Sequence, residues 1–174
     1  MTELKTKIIT RKILSKAPLI LLFVSVLNEY DFNYLGLNYF SFNFSYILIF
    51  YYSLKKSESL GYTYIFVAGL FNDVVVGTPI GLSSLMFLIL CVAASYLRNI
   101  TLRPSLMKDW VFFFITILII NSLSFVILSL IFEYNIIYVD QLVNITFTSL
   151  LYVGFTYLFN FLDIFFQERS DARR

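Results

Sequence analysis

Read from its N-terminus, the chain alternates six apolar stretches with short polar intervals. The first, over about 13–27, gives way to Asn28, Glu29, Asp31 and Asn33. The second, over 39–54, is rich in Phe and Tyr and stops at Lys55-Lys56. The third covers 61–76 and is broken by Gly77-Thr78-Pro79-Ile80-Gly81; the fourth, over 80–97, stops at Arg98. The fifth, over 110–132, is the most uniform and is bracketed by Asp109 and Glu133. The sixth covers 142–162 and runs into the polar tail Gln167-Glu168-Arg169-Ser170-Asp171. A hydrocarbon layer of roughly 30 Å asks for about 20 mostly apolar residues per helix. The pattern therefore predicts an all-α membrane protein, a six-helix transmembrane bundle forming a single polytopic domain over 1–174. The third stretch is short, 16 residues or about 24 Å as a helix, which places the Gly-Thr-Pro-Ile-Gly turn in or just beneath an interface.

Threading six helices in this order puts the intervals 55–60 and 98–108 on the same side as both termini. All thirteen Lys and Arg then fall on that side, from Lys5 to Arg174, while the opposite intervals carry Glu29, Asp31, Glu133 and Asp140. The positive-inside rule makes the basic side cytoplasmic. The run 17–27 behind Lys5, Lys7, Arg11, Lys12 and Lys16 has the form of a signal peptide, but small residues at a cleavage site do not follow, so it is read as a retained first helix.

Composition narrows the chemistry. With 59% hydrophobic and 14% charged residues, a soluble fold has no core large enough to hide the apolar side chains. A net charge of +2 is explained by topology and implies no nucleic-acid partner. The chain has no histidine, and Cys91 is its one cysteine, inside an apolar run. Zinc sites, iron–sulfur clusters, histidine-based catalysis and intramolecular disulfides lose their usual groups, and most enzyme classes go with them; no catalytic residue, metal or cofactor is expected. Cys91 reads as a small buried apolar residue.

Gly69, Asp73, Gly77 and Gly81 recur at four-residue spacing, and the first three share one helix face. Glycine on a membrane helix admits a neighbouring backbone, and a carboxylate within a span must face the protein interior or water. Thr78 is expected to cap the fourth helix, with Pro79 at its first position. Asp73 then either fixes this hairpin through hydrogen bonds or serves a partner or small ligand, with Asn72, Gly69, Gly77, Thr78, Pro79 and Gly81 around it. The neutral in-span groups Asn72, Asn121, Asn144 and Asn160 are assigned to interhelical hydrogen bonds, and Asp163 to the cytoplasmic rim. Phe40, Phe42, Phe44, Tyr46, Tyr51 and Tyr52 are expected to form interfacial belts and lipid-facing surface, an aromatic ligand cage being the alternative.

The pattern Gly69-x3-Asp73-x3-Gly77-x-Pro79-x-Gly81-Leu82 resembles the signature of the bacterial rod shape-determining protein MreD family, and the resemblance in length, helix count and basic ends covers essentially the whole chain. Many members of that family carry a second acid beside the aspartate, where this chain has Asn72. They usually carry a proline before the second helix, where this chain reads Leu35-Gly36-Leu37-Asn38-Tyr39. The resemblance implies a non-enzymatic component of the cell-wall elongation complex in the inner membrane, partnered by MreC and, through it, by MreB, RodA and a penicillin-binding transpeptidase. It also implies a fold similar to the substrate-binding subunits of energy-coupling-factor vitamin transporters. A vitamin-transporter subunit and a small proton-coupled carrier are the alternatives. The first helix, with Ala17-Pro18-Leu19-Ile20-Leu21, lacks the A-x-x-x-A spacing expected of the former.

The charge distribution generates a topology test. In a Cys91→Ser background, single cysteines at Glu29, Thr78 and Asn135 should react with impermeant thiol reagents in intact cells, and cysteines at Ser57 and Ser105 should not. Labelling of the last two without permeabilisation would overturn the six-helix threading.

Overall fold

The computed structural model describes residues 17–26, 42–56, 60–101, 105–132 and 138–171, with the side chains of 138, 140 and 163–171 left aside. These residues form six helices and no strand: α1 (Ala17–Val26), α2 (Phe44–Lys55), α3 (Tyr62–Val76), α4 (Leu82–Ile100), α5 (Leu106–Ile131) and α6 (Tyr138–Asp171). Three of the helical stretches are long and apolar enough to cross a bilayer: Leu82–Ile100, Leu106–Ile131 and Gln141–Leu162. The expected all-α membrane architecture is what the chain adopts.

The helix ends differ from the apolar stretches where the backbone ladder outruns the apolar window. The fifth helix starts at Leu106 rather than 110, because Ser105 serves as its N-cap residue and the polar pair Lys108-Asp109 fits its first turns. The sixth extends over Tyr138–Asp171, taking in part of the polar tail, since charged residues there are good helix formers once outside the apolar layer. The fourth starts at Leu82 rather than 80, for a reason that belongs to the hairpin described below. The start of the second stretch, with Phe40, lies outside the described residues.

The shortest fully described helix is the centre of the fold. Its twelve residues rise about 18 Å, too short to span a bilayer, and every residue from Ser45 to Leu54 is buried. Ile47, Leu48, Ile49 and Phe50 follow one another without a break, so more than a full turn is apolar and the helix has no polar face to show. A helix that is apolar all round is one surrounded by protein. On one side, Tyr46 meets the Phe87 ring of α4 edge-on at 5.8 Å and Ser53 donates to Cys91 Sγ at 3.2 Å. On another, Phe50 packs 5.0 Å from Phe113 of α5 and 5.7 Å from Tyr152 of α6. Tyr51 donates to Asn160 Oδ1 of α6 at 2.8 Å, and the hydroxyls of Ser25 in α1 and Ser45 share a hydrogen bond of 2.9 Å. The Ser45, Tyr51 and Ser53 hydroxyls that α2 carries inward thus each find a partner, as a low-dielectric interior demands.

This corrects the assignment of its aromatics to interfacial belts and lipid contact. Tyr46, Tyr51 and Tyr52 are buried, and Phe42 and Phe44 pack partly buried against the core. The rings interlock: Phe44 lies 4.8 Å from Phe155 and Tyr51 lies 5.1 Å from Phe159. The exposed apolar surface is provided by the outer helices, through aliphatic residues such as Val111, Ile115 and Ile119 on one side of α5 and through aromatics such as Tyr62, Phe71 and Phe161.

The ends of α2 are tied down separately. At its start, the Asn43 side chain accepts from the Tyr46 N–H at 3.2 Å as an N-cap, while the Asn43 N–H donates to Thr148 Oγ1 of α6 at 2.9 Å. At its end, Arg98 of α4 donates to the Ser53 carbonyl at 3.1 Å, and Lys55 pairs with Asp109 of α5 at 3.8 Å. Both cations oppose the negative end of the helix dipole.

Because α2 is held by side-chain packing from four neighbours, truncating its central ring should be costly. Phe50→Ala is expected to destabilise by about 3–5 kcal/mol and to lower the folded yield and thermal midpoint in detergent. Leu130→Ala, at an α5 residue that is 76% exposed, should leave both unchanged.

Candidate functional site

The turn between α3 and α4 is built around one carboxylate. α3 ends at Gly77, whose φ of 77° is a left-handed conformation that L side chains resist. Both the Gly77 and Thr78 N–H groups bond the Asp73 carbonyl, at 2.9 and 3.0 Å, closing the last turn. The Asp73 side chain, 1% exposed, turns across the hairpin toward α4. There Oδ1 accepts from Thr78 Oγ1 at 2.9 Å and from the Ser83 N–H at 2.8 Å, and Oδ2 accepts from the Gly81 N–H at 2.7 Å. Gly81, with φ 99°, is the N-cap residue of α4 and has no side chain to cap with. Asp73 takes over that work from the preceding helix, satisfying two free N–H groups and placing negative charge at the positive end of α4.

This corrects two expectations. Thr78 does not cap α4; its hydroxyl donates to Asp73. Pro79 is not the first helical residue but lies in the turn, where its carbonyl accepts from the Leu82 N–H at 3.1 Å. Two left-handed glycines let the chain reverse before the helix starts, which delays α4 to Leu82 and brings its N–H groups onto the aspartate.

Below the turn, α3 and α4 touch backbone to backbone. A Cβ built on Gly69 would lie 2.3 Å from Ser84 Cα and 2.5 Å from its N, so no larger residue fits. Ser84 Oγ donates to the Phe66 carbonyl at 2.9 Å, and Asn72 Nδ2 donates to Ser83 Oγ at 3.0 Å. The shared face of Gly69 and Asp73 thus packs against α4, as their spacing requires. Tyr46 of the central helix lies within the electrostatic reach of Asp73. Around this polar seam the apex is apolar and open, with Val74 69% and Ile80 79% exposed.

A family model described as rod shape-determining protein MreD matches residues 11–162. The chain belongs to that family. No curated protein and no solved structure matches it at a significant level. The family gives the chain a role in determining rod shape and a place among membrane proteins of that system.

For a member of this family, the constellation of Gly69, Asn72, Asp73, Gly77, Thr78, Pro79 and Gly81 is one local unit, completed by Ser83 and Ser84, which the glycine spacing alone does not reveal. The other in-span amides divide. Asn72 and Asn160 do bridge helices, whereas Asn121 Nδ2 donates within its own helix to the Ile117 carbonyl at 2.8 Å. Asn144 Oδ1 accepts from Thr148 of the same helix at 3.4 Å, which is one of its contacts. Asp163 falls outside the described side chains. A second buried acid was hidden by its position at the edge of an apolar stretch: Asp109 is 3% exposed. The signal was present, since Asp109, Phe113, Thr116, Ile117 and Ile120 follow a helical period and are the residues that α5 buries.

The hairpin geometry predicts that Gly69→Ala forces α3 and α4 apart, at a cost of about 1–3 kcal/mol, with lower folded yield. Gly154→Ala, where an added Cβ meets nothing within 4 Å, should fold at least as well as the unaltered protein. Equal behaviour of the two variants in a detergent thermal-shift assay would contradict the close packing.

Proposed function

We propose that the chain is a non-enzymatic, multi-pass component of the cell-wall elongation complex in the bacterial inner membrane, with both termini cytoplasmic. It organises peptidoglycan synthesis together with MreC, in the same assembly as MreB, RodA and the penicillin-binding transpeptidase. The α3–α4 hairpin is the partner-facing element, and Gly69, Asn72, Asp73, Gly77, Thr78, Pro79 and Gly81 are the residues that shape it.

The observation that carries this reading is the occupation of Asp73. A carboxylate offers about four lone-pair positions, and three are taken by donors of its own hairpin. A group so engaged is suited to hold a surface in shape rather than to pick up and release a proton or a solute. The surface it holds is apolar, through Val74, Val75, Val76 and Ile80, which suits contact with another membrane segment. Family membership supports the shape-determining role itself.

The test is shape complementation in a rod-shaped host depleted of this protein, where cells should become round and enlarged. Asp73→Asn keeps one acceptor oxygen, so it can retain the Thr78 and Ser83 bonds but sets an NH2 against the Gly81 N–H, losing about 1–3 kcal/mol. Asp73→Leu loses all three bonds. Folded amount, recovery of MreC on mild-detergent purification and rod shape should therefore fall together, in the order unaltered, Asn, Leu. Normal accumulation of Asp73→Asn with complete loss of shape would instead mean that the charge itself is used. Unchanged cell width after full depletion would sink the assignment.

A further inference from the structure

Three helices bring cations to one end of the central helix. Arg98 of α4 donates to the Ser53 carbonyl at 3.1 Å, and Lys55 pairs with Asp109 of α5 at 3.8 Å, so both side chains act within the last turn of α2. Lys56 follows Lys55 directly and Lys108 precedes Asp109 directly; both are exposed. Four cations thus stand beside one described carboxylate. Arg98 is met by a neutral carbonyl, and Lys108 has no carboxylate partner among the described residues, so positive charge is left over once Lys55 and Asp109 are paired. Like charges gathered in this way repel, and an anion among them relieves the repulsion.

The surroundings select the kind of anion. Exposed apolar side chains flank the cations, Tyr96 and Ile100 on either side of Arg98 and Met107 and Val111 on either side of Lys108. They belong to rows at four-residue spacing that lead from this end along the helices: Val92, Tyr96 and Ile100 on α4, and Met107, Val111 and Ile115 on α5. These two helices pack against each other. Both are long and apolar enough to cross a bilayer, which brings their ends to headgroup depth, where an exposed tyrosine such as Tyr96 is at home. A free phosphate or an acidic peptide has no use for such rows. A phospholipid presents a phosphate and acyl chains in the same order, and basic groups at a membrane surface attract anionic headgroups.

We infer that this end of the bundle binds an anionic phospholipid, its headgroup drawn to Arg98 and Lys108 beside the end of α2 and its acyl chains lying along the exposed rows of α4 and α5. A lipid seated there braces α4 and α5 from outside and makes the protein sensitive to the anionic lipid content of its membrane. The site rests on the placement of the chain in a bilayer and not on the role assigned to the Asp73 hairpin, which adjoins the opposite end of α2.

Trp110, the one tryptophan of the chain, follows Lys108 by two residues, and its Nε1 is fixed by donation to the Ser149 carbonyl at 2.9 Å. Its fluorescence therefore reports the lipid at this end. The test is quenching in the full-length protein reconstituted in phosphatidylcholine vesicles that contain phosphatidylglycerol, with bromine on the acyl chains of one lipid or the other. At equal mole fraction, brominated phosphatidylglycerol should quench more strongly than brominated phosphatidylcholine. Lys108→Gln should lower that preference roughly fivefold, and Lys108→Arg should keep it. Arg98→Gln should lower it by a similar factor, but Lys108→Gln decides, because Arg98 also holds the end of α2. Equal quenching by the two lipids, or an undiminished preference in Lys108→Gln, would overturn the proposal. Loss of the preference on adding inorganic phosphate, at an ionic strength where chloride leaves it intact, would overturn it too, since the site would then take the free anion.

Discussion

The α3–α4 turn leaves the first N–H groups of α4 without helical partners, and the Asp73 carboxylate closes two of them. In a bilayer an unsatisfied N–H costs several kcal/mol, and a helix N-terminus has four of them. Gly81 cannot cap α4, so the carboxylate reaches across from α3 and takes two N–H groups and a hydroxyl at 2.7–2.9 Å. From this the rest of the hairpin follows. The aspartate must face α4, which turns Gly69 onto Ser84 and leaves no space for a Cβ. The close approach in turn aligns Asn72 with Ser83 and Ser84 with the Phe66 carbonyl. With α4 fixed against α3, the Phe87 and Cys91 side chains are placed to receive α2.

The glycine and aspartate spacing made this much legible before any coordinates, because a four-residue repeat on a helix fixes a face whatever the neighbour is. What the neighbour contributes was not legible. Ser83 and Ser84 look like ordinary polar residues at the start of an apolar stretch, and only the left-handed geometry at Gly77 and Gly81 tells that Thr78 and Pro79 belong to the turn instead of the helix. The aromatic run Phe42 to Tyr52 misled for a related reason. Phe and Tyr in a membrane chain are equally at home at an interface and in a packed core, and composition cannot separate the two. Length does not settle it either, since the twelve residues of α2 are enclosed while the fifteen of α3, also too short to span, leave Tyr62, Phe66 and Phe71 exposed.

That enclosure changes how the polar groups of the bundle should be understood. A buried helix brings its own ends into a low-dielectric region, and both ends of α2 are met by groups from other helices: Thr148 at the start, Arg98 and Asp109 at the finish. Lys55 and Arg98, which the charge pattern assigns to the basic side, both face the carbonyl end of α2 and so also serve the fold. Asp109 follows from the same demand. An acid in the first turns of α5 is favoured by that helix's dipole and supplies the counter-charge that Lys55 needs beside the core.

The two buried acids differ in a way that bears on function. Asp73 is held by three short hydrogen bonds and belongs to a rigid turn whose outer surface is apolar and exposed. Among the described residues Asp109 is met by one loose ion pair, with Lys55 at 3.8 Å, where α2 ends against α5. A protein that acts by presenting a surface needs the first kind of site to be stiff, since a partner pays less ordering entropy when docking on a preformed face. It also needs the core behind that face to resist movement, and α2, interlocked with rings from α4, α5 and α6, meets that need. A carrier needs the opposite, a central element able to shift and a carboxylate with free lone pairs at a solvent path. The distribution of hydrogen bonds here concentrates at the hairpin and around the central helix, which favours the proposed organising role over that of a carrier.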